Sequence, residues 1–235
     1  MVTSLPGAVG LSHLTVYDWP AEDGLAGGTP HVHLACAEAY VVTSGTGSVQ
    51  TLTPAGFMET PLEPGTTVSF TPGTLHRLVN ADGRLRIVVV MQNSGLPEAG
   101  DAVFPFPPEL LADPAAYARA AVLPGAEVAL QEREQAVRER RDLALAGFAR
   151  LRDEVTAGRT GALDDFYRRA ADLVRPALDH WTDVWREGAA AASAATGDHL
   201  DLLRRGDLDH LRHAGVRRPV PAPRLGMCGW LQAYR

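Results

Sequence analysis

The proline-rich stretch Phe104-Pro-Phe-Pro-Pro108 divides this chain into two textures, and each texture restricts what can fold on its own side. Before it, apolar or alternating runs of four to eight residues are separated by glycine and proline turn signals. They predict strands at 11–17, 31–34, 39–42, 48–52, 57–62, 66–70, 76–79 and 85–92. Short strands in this number, with no helical pattern between them, predict a sandwich or barrel.

After the prolines the texture turns helical. Residues 127–156 are rich in Glu, Arg, Ala and Leu with few breakers, which predicts a long helix. Thr160-Gly-Ala-Leu-Asp164 reads as a capping box, with Asp in place of Glu, that opens a helix over 162–174. Pro176 suits the first turn of the next helix, where Leu178, Trp181, Val184 and Trp185 share a face. The two tryptophans read as core or interface anchors. A last helical stretch spans 198–213 with an interruption at Gly206. The tail, 216–235, ends in Met227-Cys-Gly-Trp-Leu-Gln-Ala-Tyr234, which is too apolar to float and is expected to dock. The expected organisation is a β unit over 1–108 that carries the site, then an α-helical extension over 109–235 with a docked tail.

Composition narrows the chemistry. All 22 basic residues are arginine. No lysine Schiff base, lysine-anchored pyridoxal phosphate or P-loop lysine is available. Residues 1–108 carry nine Asp/Glu against Arg77, Arg84 and Arg86, whereas 109–235 carry 19 charges of each sign. An acidic first unit argues against a nucleic-acid partner. The weak exception is 202–218, with five arginines against two aspartates but no helix-turn-helix period. Cys36 and Cys228 make no disulfide framework, and a reduced compartment follows. The longest uncharged run, 39–58, is full of Thr, Ser and Gly and reads as strands and turns rather than a membrane span. No arginine precedes Arg77, so a cationic leader is not expected and a cytoplasmic protein is.

Two stretches carry the chemistry. The first runs Gly28-Thr-Pro-His31-Val-His33-Leu-Ala-Cys-Ala-Glu38 and on to Gly45. Strand side chains alternate, so His31 and His33 share a face. Glu38 needs a turn through 35–37 before a neighbouring strand brings its carboxylate beside the imidazoles. The second runs from Gly65 through Pro72-Gly73 to His76 and Asn80, and offers a third imidazole.

Together these stretches resemble the paired motifs of the cupin superfamily: glycine, HxH, Glu, glycine, then glycine, Pro-x-Gly, His, Asn. The first motif matches throughout, and in the second the proline stands one position late, at Pro72. The 19 residues between the motifs, 46–64, are as few as in single-domain microbial members. The resemblance covers residues 10–95. It implies a double-stranded β-helix barrel with His31, His33, Glu38 and His76 as ligands of one divalent transition metal. Iron, manganese, nickel, cobalt, copper and zinc all accept such a set, and an octahedral ion keeps two positions open for substrate, water or dioxygen.

Other residues are secondary. Tyr40 shares strand parity with Glu38 and is either an interior hydrogen-bond donor or a wall residue. Gln92 is a candidate polar contact to substrate, although the inward parity of 85–92 is open. Cys36 reads as a small inert residue before a redox thiol. His199, His210 and His213, with four nearby aspartates, read as a solvated helix face before a second metal site. Arg140-Arg141 and Arg168-Arg169 read as solvated ion-pairing faces.

The cation-poor β unit suits a neutral, oxygen-rich small molecule. An aldose–ketose isomerase or sugar epimerase is therefore the leading expectation, with Glu38, if not firmly ligated, or a bound hydroxide as base and Tyr40 as donor. An iron- or nickel-type dioxygenase is the alternative, and a non-catalytic ligand sensor is the third. The helices are expected to pack on the barrel or to form a homodimer, and the Trp230/Tyr234 tail to lie over its mouth.

Overall fold

The computed structural model describes residues 5–234. Strands β1 (Gly10–Val16), β2 (Val32–His33), β3 (Glu38–Ser44), β4 (Gly47–Thr53), β5 (Gly56–Leu62), β6 (Thr67–Phe70), β7 (Leu75–Asn80) and β8 (Arg86–Met91) fall within a few residues of the predicted runs. Three further strands complete the sheets: β9 (Ala102–Val103), β10 (Ala222–Leu225) and β11 (Gly229–Tyr234).

One sheet has the order β10-β11-β1-β8-β3-β6. Opposite it stands β5-β4-β7, extended by the Gly27–Val79 and His31–His76 bridges to the 27–33 stretch and then β9. All pairings are antiparallel. Leu14, Val16, Val42, Ile87 and Val89 from the first sheet meet Val49, Leu62 and Leu78 from the second in one buried cluster. The inward set of β8 is therefore Ile87, Val89 and Met91, which settles the parity the sequence left open.

Seven helices follow: α1 (Pro108–Leu111), α2 (Pro114–Ala121), α3 (Leu130–Thr156), α4 (Gly161–Val174), α5 (Leu178–Trp185), α6 (Ala191–Arg204) and α7 (Asp209–Arg212). Of these, α1, α3 and α4 cover the outer face of the second sheet. Val32, Leu52 and Leu75 on that face pack with Phe104, Phe106, Leu111, Phe148, Leu163 and Phe166. Both faces of β4 and β7 are thus covered, which explains why β7 is buried along its whole length and shows no polar alternation. At Gly147 α3 touches the proline bridge, where a Cβ would stand 1.8 Å from the Pro105 carbonyl oxygen. None of the described helices is long and apolar enough to cross a membrane.

Four expectations need correction. Arg140 and Arg141 are buried, not solvated: Arg141 donates to the carbonyls of Trp19 and Pro20, each at 2.8 Å, and Arg140 to those of Ala121 at 3.1 Å and Gly226 at 3.3 Å. Arginine's planar fork satisfies several backbone acceptors at once, so these residues bolt α3 to the barrel instead of facing water. Arg168, by contrast, is the surface ion-pairing residue expected, bonded to Asp165. Thr160 makes no capping hydrogen bond, because its own backbone is already helical (φ −64°, ψ −18°). Trp185 is 47% exposed, whereas Trp181 is buried and its indole N–H donates to the Ala99 carbonyl at 2.9 Å. Finally, the tail does dock, but as the β10–β11 hairpin that extends the barrel sheet, so residues 222–234 belong with the β unit.

Replacing Arg141 by Met would remove the donor from the carbonyls of Trp19, Pro20 and Gly27, of which that of Gly27 is buried, a loss of about 2–4 kcal/mol in urea unfolding. Arg168→Ala should cost less than about 0.5 kcal/mol. Equal effects would contradict the bolt. Burial works to raise the pKa of Asp23, but its hydrogen bond and charge pairing with Arg77 prevail and lower it. A depressed carboxylate stabilises the fold above its unfolded pKa, and that stability is lost as pH falls through the folded value. The melting-temperature gap between the native chain and Asp23→Asn should therefore be present at pH 7 and close below about pH 3. A gap independent of pH would contradict it.

Candidate metal centre

The turn through 35–37 does what the spacing required. His31 and His33 leave the 27–33 stretch on one face, Glu38 opens β3, and His76 in β7 bridges back to His31. All four are buried, and one donor atom from each lies within 4.8 Å of the others. Glu38 Oε2 stands 3.0 Å from His76 Nε2 and 3.6 Å from His33 Nε2.

Each imidazole is held from behind through Nδ1. His31 Nδ1 donates to the Thr29 carbonyl at 2.9 Å, and His76 Nδ1 to the Thr74 carbonyl at 2.9 Å. A carbonyl only accepts, so these two rings carry their proton on Nδ1 and present a bare Nε2 to the centre. His33 Nδ1 lies 3.0 Å from Asp101 Oδ2, and Asp101 also accepts from the backbone N–H of Leu34 at 3.0 Å and Ala35 at 2.6 Å. Carboxylate-backed imidazoles of this kind are strong metal ligands.

The electrostatics agree. Burial and the neighbouring His76 and His33 hold His31 well below the usual histidine range, so it is neutral. Burial would raise Glu38, but the neighbouring imidazoles of His76 and then His33 lower it and keep it ionised. Asp101 is likewise lowered by His33 against the effect of burial. His33 Nε2, His76 Nε2 and Glu38 Oε2 are buried without a hydrogen-bond partner among the described residues. Lone pairs converging in this way need a cation between them. Three nitrogens and one carboxylate oxygen suit a divalent transition metal, so the residues present fit the ion the resemblance implies. Protons would relieve the same crowding, so acid competes with metal here.

Three parts of the C-terminal half brace this arrangement. Thr29 N–H donates to the Met227 carbonyl at 3.1 Å. Tyr167 of α4 donates to the Gly73 carbonyl at 2.7 Å, beside Thr74. Trp181 of α5 holds Ala99 in the turn that delivers Asp101. At Gly28 a Cβ would stand 2.6 Å from Cys228 Sγ, so the first glycine of the motif is the space into which the tail fits.

The open side of the cluster faces a pocket of about 710 Å³, part of it open to solvent. Tyr40 lines it, which places this residue in the interior. Burial, then the Glu38 charge, raises its phenol well above the ordinary range, so it stays protonated. Gln92 is not brought there: it is exposed, lies just past β8, and its side-chain carbonyl accepts from Ala37 N–H at 3.0 Å. Tyr234 lines the pocket, whereas Trp230 is on the exposed side of β11. Cys36 is buried, and burial raises its thiol, as an inert residue requires. His199 and His210 stack at 4.7 Å, but among the described residues only the His31 cluster gathers enough ligands for a metal.

Asp101 and Arg224 escaped sequence reasoning. Asp101 sits in Glu98-Ala-Gly-Asp101 with no motif around it, and only its contact with His33 marks it. Asp101→Asn should weaken zinc affinity roughly 10–100-fold in a chelator competition while the chain stays folded. An unchanged affinity would remove it from the site.

No protein-family model matches the chain, and no curated protein matches it. Solved structures do overlap with it in part. A double-stranded β-helix protein of Klebsiella pneumoniae is 19% identical over 37% of this chain and 67% of its own, with a TM-score of 0.29. A cupin protein of Bacteroides fragilis is 22% identical over 37% of this chain and 65% of its own, with a TM-score of 0.28. KdgF of Halomonas sp. is 19% identical over 38% of this chain and 72% of its own, with a TM-score of 0.28. At that level of overlap the fold rests on the chain's own strand order and ligand cluster. By those it is an antiparallel two-sheet β-barrel in which His31, His33, Glu38 and His76 could hold a metal ion, followed by a helical region.

Proposed function

We propose that this chain is a mononuclear-metal enzyme that oxygenates a small, largely apolar molecule presenting two oxygens to the ion. The observation that carries this reading is the lining of the pocket, whose exposed surface is mainly apolar and includes Leu11, Leu14, Val89, Met91, Met227 and Leu231. A free sugar needs donors and acceptors around every hydroxyl; outside the ligand cluster the lining offers Ser12, Ser94, Tyr40, Tyr234 and the mutually paired Glu98 and Arg224.

Isomerisation also needs a base that is free to move a proton. Two carboxylates line the pocket. Glu38 is turned into the ligand cluster, and both oxygens of Glu98 are engaged, one by Arg224 at 3.0 Å and one by Gly95 N–H at 3.1 Å. The leading expectation of a sugar isomerase is therefore less well supported than its dioxygenase alternative.

His31, His33, Glu38 and His76 would hold the ion. A redox-active ion bound there supplies the electron transfer that ground-state dioxygen requires. The chain's own part is to bind and exclude. The apolar wall desolvates the substrate body, and the neutral Tyr40 phenol donates a hydrogen bond at the ligand side of the pocket. Both oxygen atoms enter the product, so no outside reductant is needed.

Catechol and glucose both offer adjacent oxygens, but only catechol has an apolar body. Zinc-loaded protein should bind catechol at least about tenfold more tightly in calorimetric titration. Equal binding, or aldose–ketose interconversion by metal-loaded protein without uptake at an oxygen electrode, would contradict the proposal.

A further inference from the structure

Counted along the sequence, the cation of the β unit nearest its ligands is Arg77, and its guanidinium turns to Asp23. The fold brings a different cation to them. β10 is the outermost strand of the six-stranded sheet, and in register Arg224 lies opposite Leu231, Leu231 opposite Leu14, and Leu14 opposite Ile87. Directly opposed residues project to the same side of a sheet. Leu14 and Ile87 face the barrel core, so Arg224 is on the inner face, and it lines the same pocket as His31, His33 and Glu38. Among the lining residues it is the one arginine.

Its guanidinium is held by Glu98, which reaches it from the turn Pro97–Asp101 that also delivers Asp101. Arg224 Nε is buried with no hydrogen-bond partner among the described residues. An inward-pointing charge on an edge strand has a plain structural use, since it discourages pairing with another sheet. That use requires neither a carboxylate partner at the pocket mouth nor a desolvated, unspent Nε–H donor.

Resting on the reading of the pocket as a metal-dependent substrate site, the geometry points to Arg224 as its carboxylate-binding residue, with Glu98 as the internal carboxylate that a substrate carboxylate displaces. A carboxylate approaching side-on engages Nε and a terminal nitrogen together, which is the pairing guanidinium favours. The substrate class becomes a small organic acid: metal-chelating oxygens at one end, an apolar body, and a carboxylate at the mouth. This replaces the neutral substrate expected from the segment charges.

The test is calorimetric titration of the zinc-loaded full chain with two linear series of four to eight carbons, monocarboxylates and α,ω-dicarboxylates. A length series lets the second carboxylate find Arg224 without a prior value for the span. At one or two lengths the dicarboxylate should bind roughly tenfold or more tightly than its monocarboxylate. Arg224→Met should bring the dicarboxylate down to the monocarboxylate's affinity. Glu98→Gln keeps the shape but removes the competing charge, and should enlarge the gain. Equal binding of both series by the native chain, or a gain that survives Arg224→Met, overturns the role of Arg224 and leaves the metal pocket standing. A uniform loss of both series in Arg224→Met marks a structural residue and also overturns it. Failure of every monocarboxylate to bind overturns the metal-pocket reading itself, and this inference falls with it.

Discussion

Three hydrogen bonds behind three imidazoles are the constraint on which the rest of this structure turns. The carbonyls of Thr29 and Thr74 and the carboxylate of Asp101 each accept a hydrogen bond from Nδ1, and that choice turns three Nε2 atoms toward a common centre beside the Glu38 carboxylate. Without those acceptors the rings would be free to rotate or to carry the proton on the other nitrogen, and the cluster would lose its direction. Besides the Leu34 and Ala35 N–H groups on Asp101, three braces come from beyond the proline bridge. Met227 of the tail fixes Thr29, Tyr167 of α4 fixes the Gly73–Thr74 turn, and Trp181 of α5 fixes the turn before Asp101. The helical region is thus the outer shell of the site rather than an appendage to it.

The tail has a second role. As β10 and β11 it supplies one wall of the pocket, with Met227, Leu231, Ala233 and Tyr234 beside the ligands. Two buried arginines of α3 hold the hairpin and the 19–27 segment in place: Arg140 binds the Gly226 carbonyl and Arg141 those of Trp19, Pro20 and Gly27. Buried guanidinium groups are costly unless their donors are used: backbone carbonyls and Asp142 take those of Arg141, and two carbonyls take the terminal nitrogens of Arg140. The apolar lining this creates is what turns the functional reading from polyols toward molecules with an apolar body.

Much of this was legible from residues alone. Period-two runs and their glycine and proline punctuation located eight strands to within a few residues, because local turn chemistry sets strand ends. The four candidate ligands were legible through the resemblance of the two glycine-bounded stretches to the paired cupin motifs, with alternation placing His31 and His33 on one face. What stayed hidden were contacts between residues far apart in sequence. Asp101 meets His33 across 68 positions, and Arg224 meets Glu98 across 126. The Arg140-Arg141 pair looked solvated because its sequence neighbours are acidic, yet burial is decided by what packs on the helix. Assigning charge by segment failed for the same reason: the arginine-rich half returns the β10–β11 hairpin, and with it Arg224, to the pocket.

The central claim is that His31, His33, Glu38 and His76 together hold one divalent ion. Titration of the metal-stripped chain with cobalt(II), followed by its visible ligand-field absorption, tests this most directly. The native chain should saturate at one ion per chain, and His76→Ala and Glu38→Gln should each abolish the saturable signal while remaining folded by circular dichroism. Absence of stoichiometric binding by the native chain, or a signal unchanged in both variants, would contradict the account.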